Sequence, residues 1–143
     1  MSAMRHVPVD VAAPAAAYIR TRALLRSGEA VAVFPEAGVS TSFTVRSLMP
    51  GAAALAAETG APLLPVALWG PQRVATAHRP VDLHRGRPVS VLVGTPYDVP
   101  RGSDPRAATR QLGVTLQEML DELQARPEHR PRTGERAPWH PAH

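Results

Sequence analysis

The residues best suited to do chemistry lie together in Phe34-Pro35-Glu36-Ala37-Gly38-Val39-Ser40-Thr41-Ser42-Phe43-Thr44-Val45-Arg46-Ser47. The stretch combines one carboxylate, one glycine, several hydroxyls and one guanidinium. Hydroxyls and backbone N–H groups can hold the oxygens of an anion such as phosphate, and Arg46 can add a charge-assisted contact. Ser and Thr also populate plain surface loops, and Pro-Glu after a strand is a common turn, so chemistry alone leaves a simple connection open. Glu36 divides the same way: its carboxylate either caps amides of its own loop or organises a bound ligand.

The elements around this loop must position it. Residues 12–27 read as a helix, with Val11, Ala15, Tyr18 and Leu25 on one face and Gly28 where a C-terminal cap belongs. Ala30-Val-Ala-Val-Phe34 is a short unbroken apolar run of the kind found in buried parallel strands, stopped by Pro35. The candidate loop thus follows the C-terminal end of a strand, where open α/β sheets bind ligands. A second helix is predicted from Pro50 to Gly60, and a strand over 63–69, where Pro65 requires an edge or a bulge. Val89 to Val93 form a third predicted strand. Asp104 as N-cap and Pro105 as first residue open a final helix, whose apolar stripe is Leu112, Leu116, Met119, Leu120 and Leu123. Helix and strand alternate, so the expected class is α/β: a mixed sheet with flanking helices. One domain over 1–126 is followed by a Pro/Arg-rich tail, 127–143, with four prolines and little apolar content, expected to be disordered.

Composition narrows the chemistry. The 143 residues include no cysteine, which excludes disulfides, thiolate catalysis and zinc–thiolate sites. The formal charge is +4 and all 16 basic residues are arginine, which favours anionic partners such as phosphates or a lipid surface. Nucleic acid is not expected, because the arginines are dispersed and aromatic stacking platforms are few. No apolar run is long enough to cross a bilayer, and the N-terminus lacks a secretory profile. The expected location is the cytoplasm, with peripheral attachment at the inner membrane face as the variant. His78 and His84 could suggest a metal, but their spacing fits no ligand pattern, and no metal site is assigned. Trp69 suits a headgroup boundary or, more simply, core packing.

Four segments in order resemble the glycerolipid acyltransferase family, the enzymes that acylate lysophosphatidic acid and related lysophospholipids. Phe34-Pro35-Glu36-Ala37-Gly38-Val39-Ser40 resembles the third motif, Phe-Pro-Glu-Gly-Thr-Arg-Ser. Met49-Pro50-Gly51-Ala52-Ala53 resembles a following Lys-x-Gly-Ala-Ala, and Ala61-Pro62-Leu63-Leu64-Pro65-Val66-Ala67 the fourth motif, Val-Pro-Val-Ile-Pro-Val-Ala. Upstream, Val7-Pro8-Val9-Asp10 resembles the Ile-x-Val-Asp-Arg that closes the second motif. The resemblance implies acyl transfer from acyl-CoA or acyl carrier protein, as co-substrate, to a lysophospholipid-type acceptor, with no other cofactor. It implies a substrate-binding role for Glu36, Gly38 and Ser40, to which the loop's own chemistry adds Arg46.

The departures from that pattern are specific. The family's catalytic His-x4-Asp, in which histidine serves as general base on the acceptor hydroxyl, is absent from this sequence. His6 with Asp10, and His78 with Asp82, have one residue too few between them. Such a base contributes about 10²–10⁴-fold to rate. Three family cations are replaced by Val11, Val39 and Met49, leaving Arg46 and Arg73 as nearby substitutes. The expectation is therefore the C-terminal portion of an acyltransferase-type domain that lacks its N-terminal elements and catalytic residues. It is expected to be inactive alone and, through exposed apolar surface, prone to self-association. The alternative is a non-catalytic lipid- or anion-binding remnant of the family.

Overall fold

The computed structural model describes residues 14–36, 38, 43–74 and 86–130. Three α-helices, two short 3-10 turns and one two-stranded sheet make up the regular structure of these residues. Helix α1, Pro14–Arg26, starts with proline at its first position, where the missing N–H costs nothing. It stops in a Schellman turn: Gly28 takes φ +84°, Gly28 N–H donates to Leu25 O, and Glu29 N–H to Leu24 O. Helix α2, Gly51–Thr59, ends on left-handed Gly60, whose N–H donates to Ala56 O. Its buried residues are small apart from Leu55, namely Ala53, Ala56 and Ala57, which lets α1 and the long C-terminal helix approach closely. Tyr18 Oη donates to Glu58 Oε1 at 3.0 Å, and Arg22 Nη1 lies 3.3 Å from Glu58 Oε2, tying α1 to α2.

Strands β1, Val66–Trp69, and β2, Ser90–Val93, pair antiparallel with Val66 opposite Val93 and Leu68 opposite Val91. The pairing continues through Gly94 N–H to Pro65 O, then resumes at Leu63 with Tyr97, one residue out of register. The chain accommodates Pro65 there: its carbonyl accepts, its absent N–H is not required, and the extra residue falls on the opposite strand. The strand predicted at 63–69 is thus shortened to its last four residues.

Helix α3, Pro105–Ala125, is capped by Asp104, whose carboxylate accepts from Arg106 N–H at 3.0 Å and Ala107 N–H at 3.2 Å. Its apolar stripe lies across the sheet. Met119 and Leu123 form one core with Ala67 and Trp69, joined at the edges by Phe43, Leu92, Leu116 and Leu120. Ala56, Ala57 and Val99 form a second core beside it. Trp69 is 5% exposed and meets the Phe43 ring edge-on at 5.9 Å, so it is a core residue and not a headgroup anchor. Among the described residues no helix is long and apolar enough to cross a membrane.

Two expectations change. Residues 30–34 are not a buried parallel strand: they form no ladder among the described residues, and Phe34 is 85% exposed. An apolar run encodes a tendency to be buried, but a strand also needs a neighbour to satisfy its N–H and C=O groups. The ordered body also extends past residue 126. Pro127–His129 make a 3-10 turn that buries His129 completely; its Nε2 lies 2.8 Å from Ser90 Oγ, and its carbonyl accepts from Arg73 Nη2 at 2.9 Å. Residues 131–143 of the expected tail lie outside the described residues.

Gly70 holds φ +111°, and a Cβ there would fall 2.2 Å from Pro88 O, so the two chain segments meet backbone to backbone. Gly70→Ala is expected to destabilise the fold by about 2–4 kcal/mol, read as a lower midpoint in urea unfolding. The Tyr18 hydrogen bond, then the Arg22 contact, hold the Glu58 carboxyl below its ordinary range. A depressed carboxyl stabilises the folded state above its unfolded pKa and loses that contribution as pH falls through the folded value. Amide-exchange protection of α1 should therefore drop on acidification below the ordinary carboxylate range, and Glu58→Gln should remove that pH dependence.

Candidate functional site

The candidate loop leaves α1 through residues 29–34, which carry no regular structure, and returns to α2 at Pro50. Its two arms are joined twice. Met49 N–H donates to Pro35 O at 2.8 Å, and Arg46 N–H donates to Glu36 Oε2 at 3.0 Å. A carboxylate accepting a backbone N–H makes a bond stronger than a neutral pair, so Glu36 fixes the turn back toward α2. Of the two roles open to Glu36, capping an amide of its own loop is the one the geometry displays.

Gly38 and Arg46 meet across the same loop. A Cβ built on Gly38 would lie 3.3 Å from Arg46 Nη1, tighter than ordinary van der Waals contact, so the guanidinium packs against the bare α-carbon. Gly38 is not among the positive-φ glycines, so the requirement here is space. Both residues are exposed, and Glu36 is half-buried. Three of the four predicted binding residues, Glu36, Gly38 and Arg46, are thereby brought together. Ser40 lies outside the described residues, as do Val11, Val39, His6, Asp10, His78, Asp82 and His84.

Arg73 does not join them. Its guanidinium donates to the His129 carbonyl at the end of the sheet, where it holds the C-terminal turn, so it is no substitute for a missing loop cation. The reason is local: Gly70 and Pro71 turn the chain into a 3-10 helix immediately after β1, carrying Arg73 onto the Pro127–His129 turn.

Two residues outside the sequence-based site hold the loop in place. Gln117 Oε1 accepts from Val45 N–H at 2.8 Å, and Gln124 Nε2 donates to Phe43 O at 2.7 Å. Seven residues apart on α3, they share one side of the helix, beside the stripe that packs on Trp69. Gln117 Nε2 donates to Asp121 Oδ1 at 2.7 Å, which orients the amide so that its oxygen faces Val45. With Phe43 against Trp69, this gives the returning arm three anchors: two polar and one aromatic. The sequence signal that could have revealed them is the polar i, i+7 pair flanking an apolar stripe.

The arrangement presents an exposed guanidinium on an arm of the loop, residues 43–46, whose backbone is held by a carboxylate and two glutamines. Such a group can receive an anion with the ordering cost of its own arm already met by α3 and Glu36. Gln117→Ala leaves Val45 N–H without its acceptor and is expected to cost about 1–2 kcal/mol. Amide exchange at residues 43–46 should accelerate more than exchange in α1, which distinguishes local release of the loop from global loss of stability.

Comparison with known proteins bears on what such a loop serves. Residues 1–69 match the family model described as Acyltransferase, a span containing all four segments identified in the sequence. No curated protein matches the chain. The fold is similar to the crystal structure of the 1-acyl-sn-glycerophosphate (LPA) acyltransferase PlsC from Thermotoga maritima, with a TM-score of 0.68 and 26% identity. That likeness covers 77% of this chain and 45% of the other, so the chain spans less than half the length of that enzyme.

Proposed function

The family match and the shared fold both support the glycerolipid acyltransferase family, and from that premise we propose that this chain supplies acceptor-binding structure for acyl transfer to a lysophospholipid-type molecule. The observation that carries the reading is the joined pair Glu36 and Arg46. The carboxylate pins the Arg46 amide, and the guanidinium lies over Gly38 at the point where the family resemblance places its third motif. In this reading Arg46 receives the acceptor phosphate, Gly38 leaves room for it, and Ser40 adds a hydroxyl. Glu36 acts by positioning Arg46.

The reaction proposed for the family-type site is attack of the acceptor hydroxyl on the acyl thioester of acyl-CoA or acyl carrier protein. A base takes the hydroxyl proton, the new ester C–O bond forms through an oxyanion intermediate, and the thiolate leaves. No histidine–aspartate pair of these 143 residues has the family spacing for that base, so the chain's own share is binding and orientation. Both substrates have acyl chains or anionic headgroups, which suits a protein of net charge +4 working at the inner membrane face.

A second reading is favoured by a separate observation. Val11, Val39 and Met49 stand where the resembling family has cations, and Arg73 is engaged elsewhere, which fits a lipid- or anion-binding module without catalysis.

Flotation with neutral vesicles, with and without lysophosphatidic acid, tests the shared part of both readings. Binding should require the lysophospholipid and weaken about tenfold in Arg46→Ala, a loss of one charge-assisted contact. Glu36→Gln should weaken it less, by loosening the loop. Unchanged binding in both variants would put the anion site elsewhere. Formation of acylated product from acyl-CoA by the same preparation separates the enzyme from the binding module.

A further inference from the structure

The two-stranded sheet is apolar on both sides. Its inner face, Ala67, Trp69 and Leu92, packs under α3. On the outer face Val66 stands opposite Val93 and Leu68 opposite Val91, with Leu64 and Val89 extending the two alternating rows. These six side chains are between 39% and 57% exposed. None of the eight ladder residues is charged. Sheets that carry large apolar residues on both faces are built to be covered on both.

We infer that this outer face is an interface between two copies of the chain, packed sheet on sheet about a two-fold axis. The area argues for it. Six Val and Leu side chains, each about half exposed, offer on the order of 500 Å² of apolar surface, at the upper end of what a monomer leaves open. A standard interface buries about 800 Å² per partner, of which about 65% is apolar in homodimers, so this patch equals the apolar share of one such interface. The patch has the required form as well. Two twisted sheets pack at about 10 Å by interdigitating alternate rows, and a two-fold axis asks only that one patch complement itself. The absence of charge across the ladder means that pairing buries no ion, whereas an anionic membrane surface would find no arginine among these eight residues. The resulting order of layers is helix, sheet, sheet, helix, with α3 on the side of each sheet away from the interface. The inference stands apart from the acyl-transfer reading and does not depend on it.

Sedimentation equilibrium of the 143-residue chain at micromolar concentration tests it. The expected mass is about twice 15.3 kDa. The double variant Leu68→Glu with Val91→Lys places opposite charges directly across the ladder, where they attract within one copy and keep the sheet paired. It is expected to keep its thermal unfolding transition and to run as a monomer, with dimer affinity weakened at least about 100-fold. Val93→Thr, which keeps β propensity, should weaken the dimer partially. A wild-type mass of 15.3 kDa, an open series of larger species, or a double variant that stays dimeric would each overturn the proposal. A monomeric wild type that co-floats with vesicles through this face would overturn it in favour of a lipid surface.

Discussion

The packing of α3 across the inner face of the sheet is the constraint on which the other features depend. Leu123 and Met119 close over Ala67 and Trp69, and Trp69 in turn receives Phe43. That contact sets the height of α3 above the sheet, and the height decides whether Gln117 and Gln124 can reach the backbone of the loop. Both do so at hydrogen-bond distance. Full burial of Leu123 makes the arrangement intolerant, because interiors are packed closely enough that a missing methylene is felt by neighbours. The site loop therefore inherits its geometry from an apolar contact that contains none of the predicted binding residues.

A division of labour follows along the loop. Glu36 and Pro35 bind the returning arm internally, whereas α3 holds that arm from outside. Arg46 sits between these restraints with its amide fixed and its side chain directed over Gly38. A long side chain held only by its own rotamers would lose entropy on meeting an anion. One whose backbone is already fixed, with a glycine beneath it, loses less.

Much of this was legible in the sequence, and the limits have physical causes. Asp104-Pro105 marked the start of α3, Gly28 and Gly60 marked two helix ends, and the stripe from Leu112 to Leu123 identified the buried face, because caps and periodicity are local properties. The run at 30–34 was misread because pairing is not local: the same five apolar residues make a strand beside a partner and an irregular connection without one. Glu36, Gly38 and Arg46 were selected by residue type, and their closeness follows from short sequence separation. Arg73 was selected by proximity in sequence to the site but turned away by Gly70. Gln117 and Gln124 went unnoticed because a glutamine on a helix is by default solvated, and only the fold gives it a backbone partner. His129, in a proline-rich end expected to be disordered, is fully buried for the same reason.

The distances in sequence between the loop and its supports also set an order of events. Val45 is 72 residues from Gln117, and Phe43 is 81 from Gln124. Contacts of such separation form late, since the intervening chain must close first. During synthesis at about 5–20 residues per second, roughly 4–16 s pass between emergence of the loop and emergence of the helix that holds it. For that interval Phe43 is in the cell without the core that later receives it, joined by the sheet strands as they emerge. Such a nascent chain exposes the segment that later bears its candidate site to chaperones and proteases through that interval, and a stop before Gln117 would leave the loop with its internal contacts but without the helix that holds it.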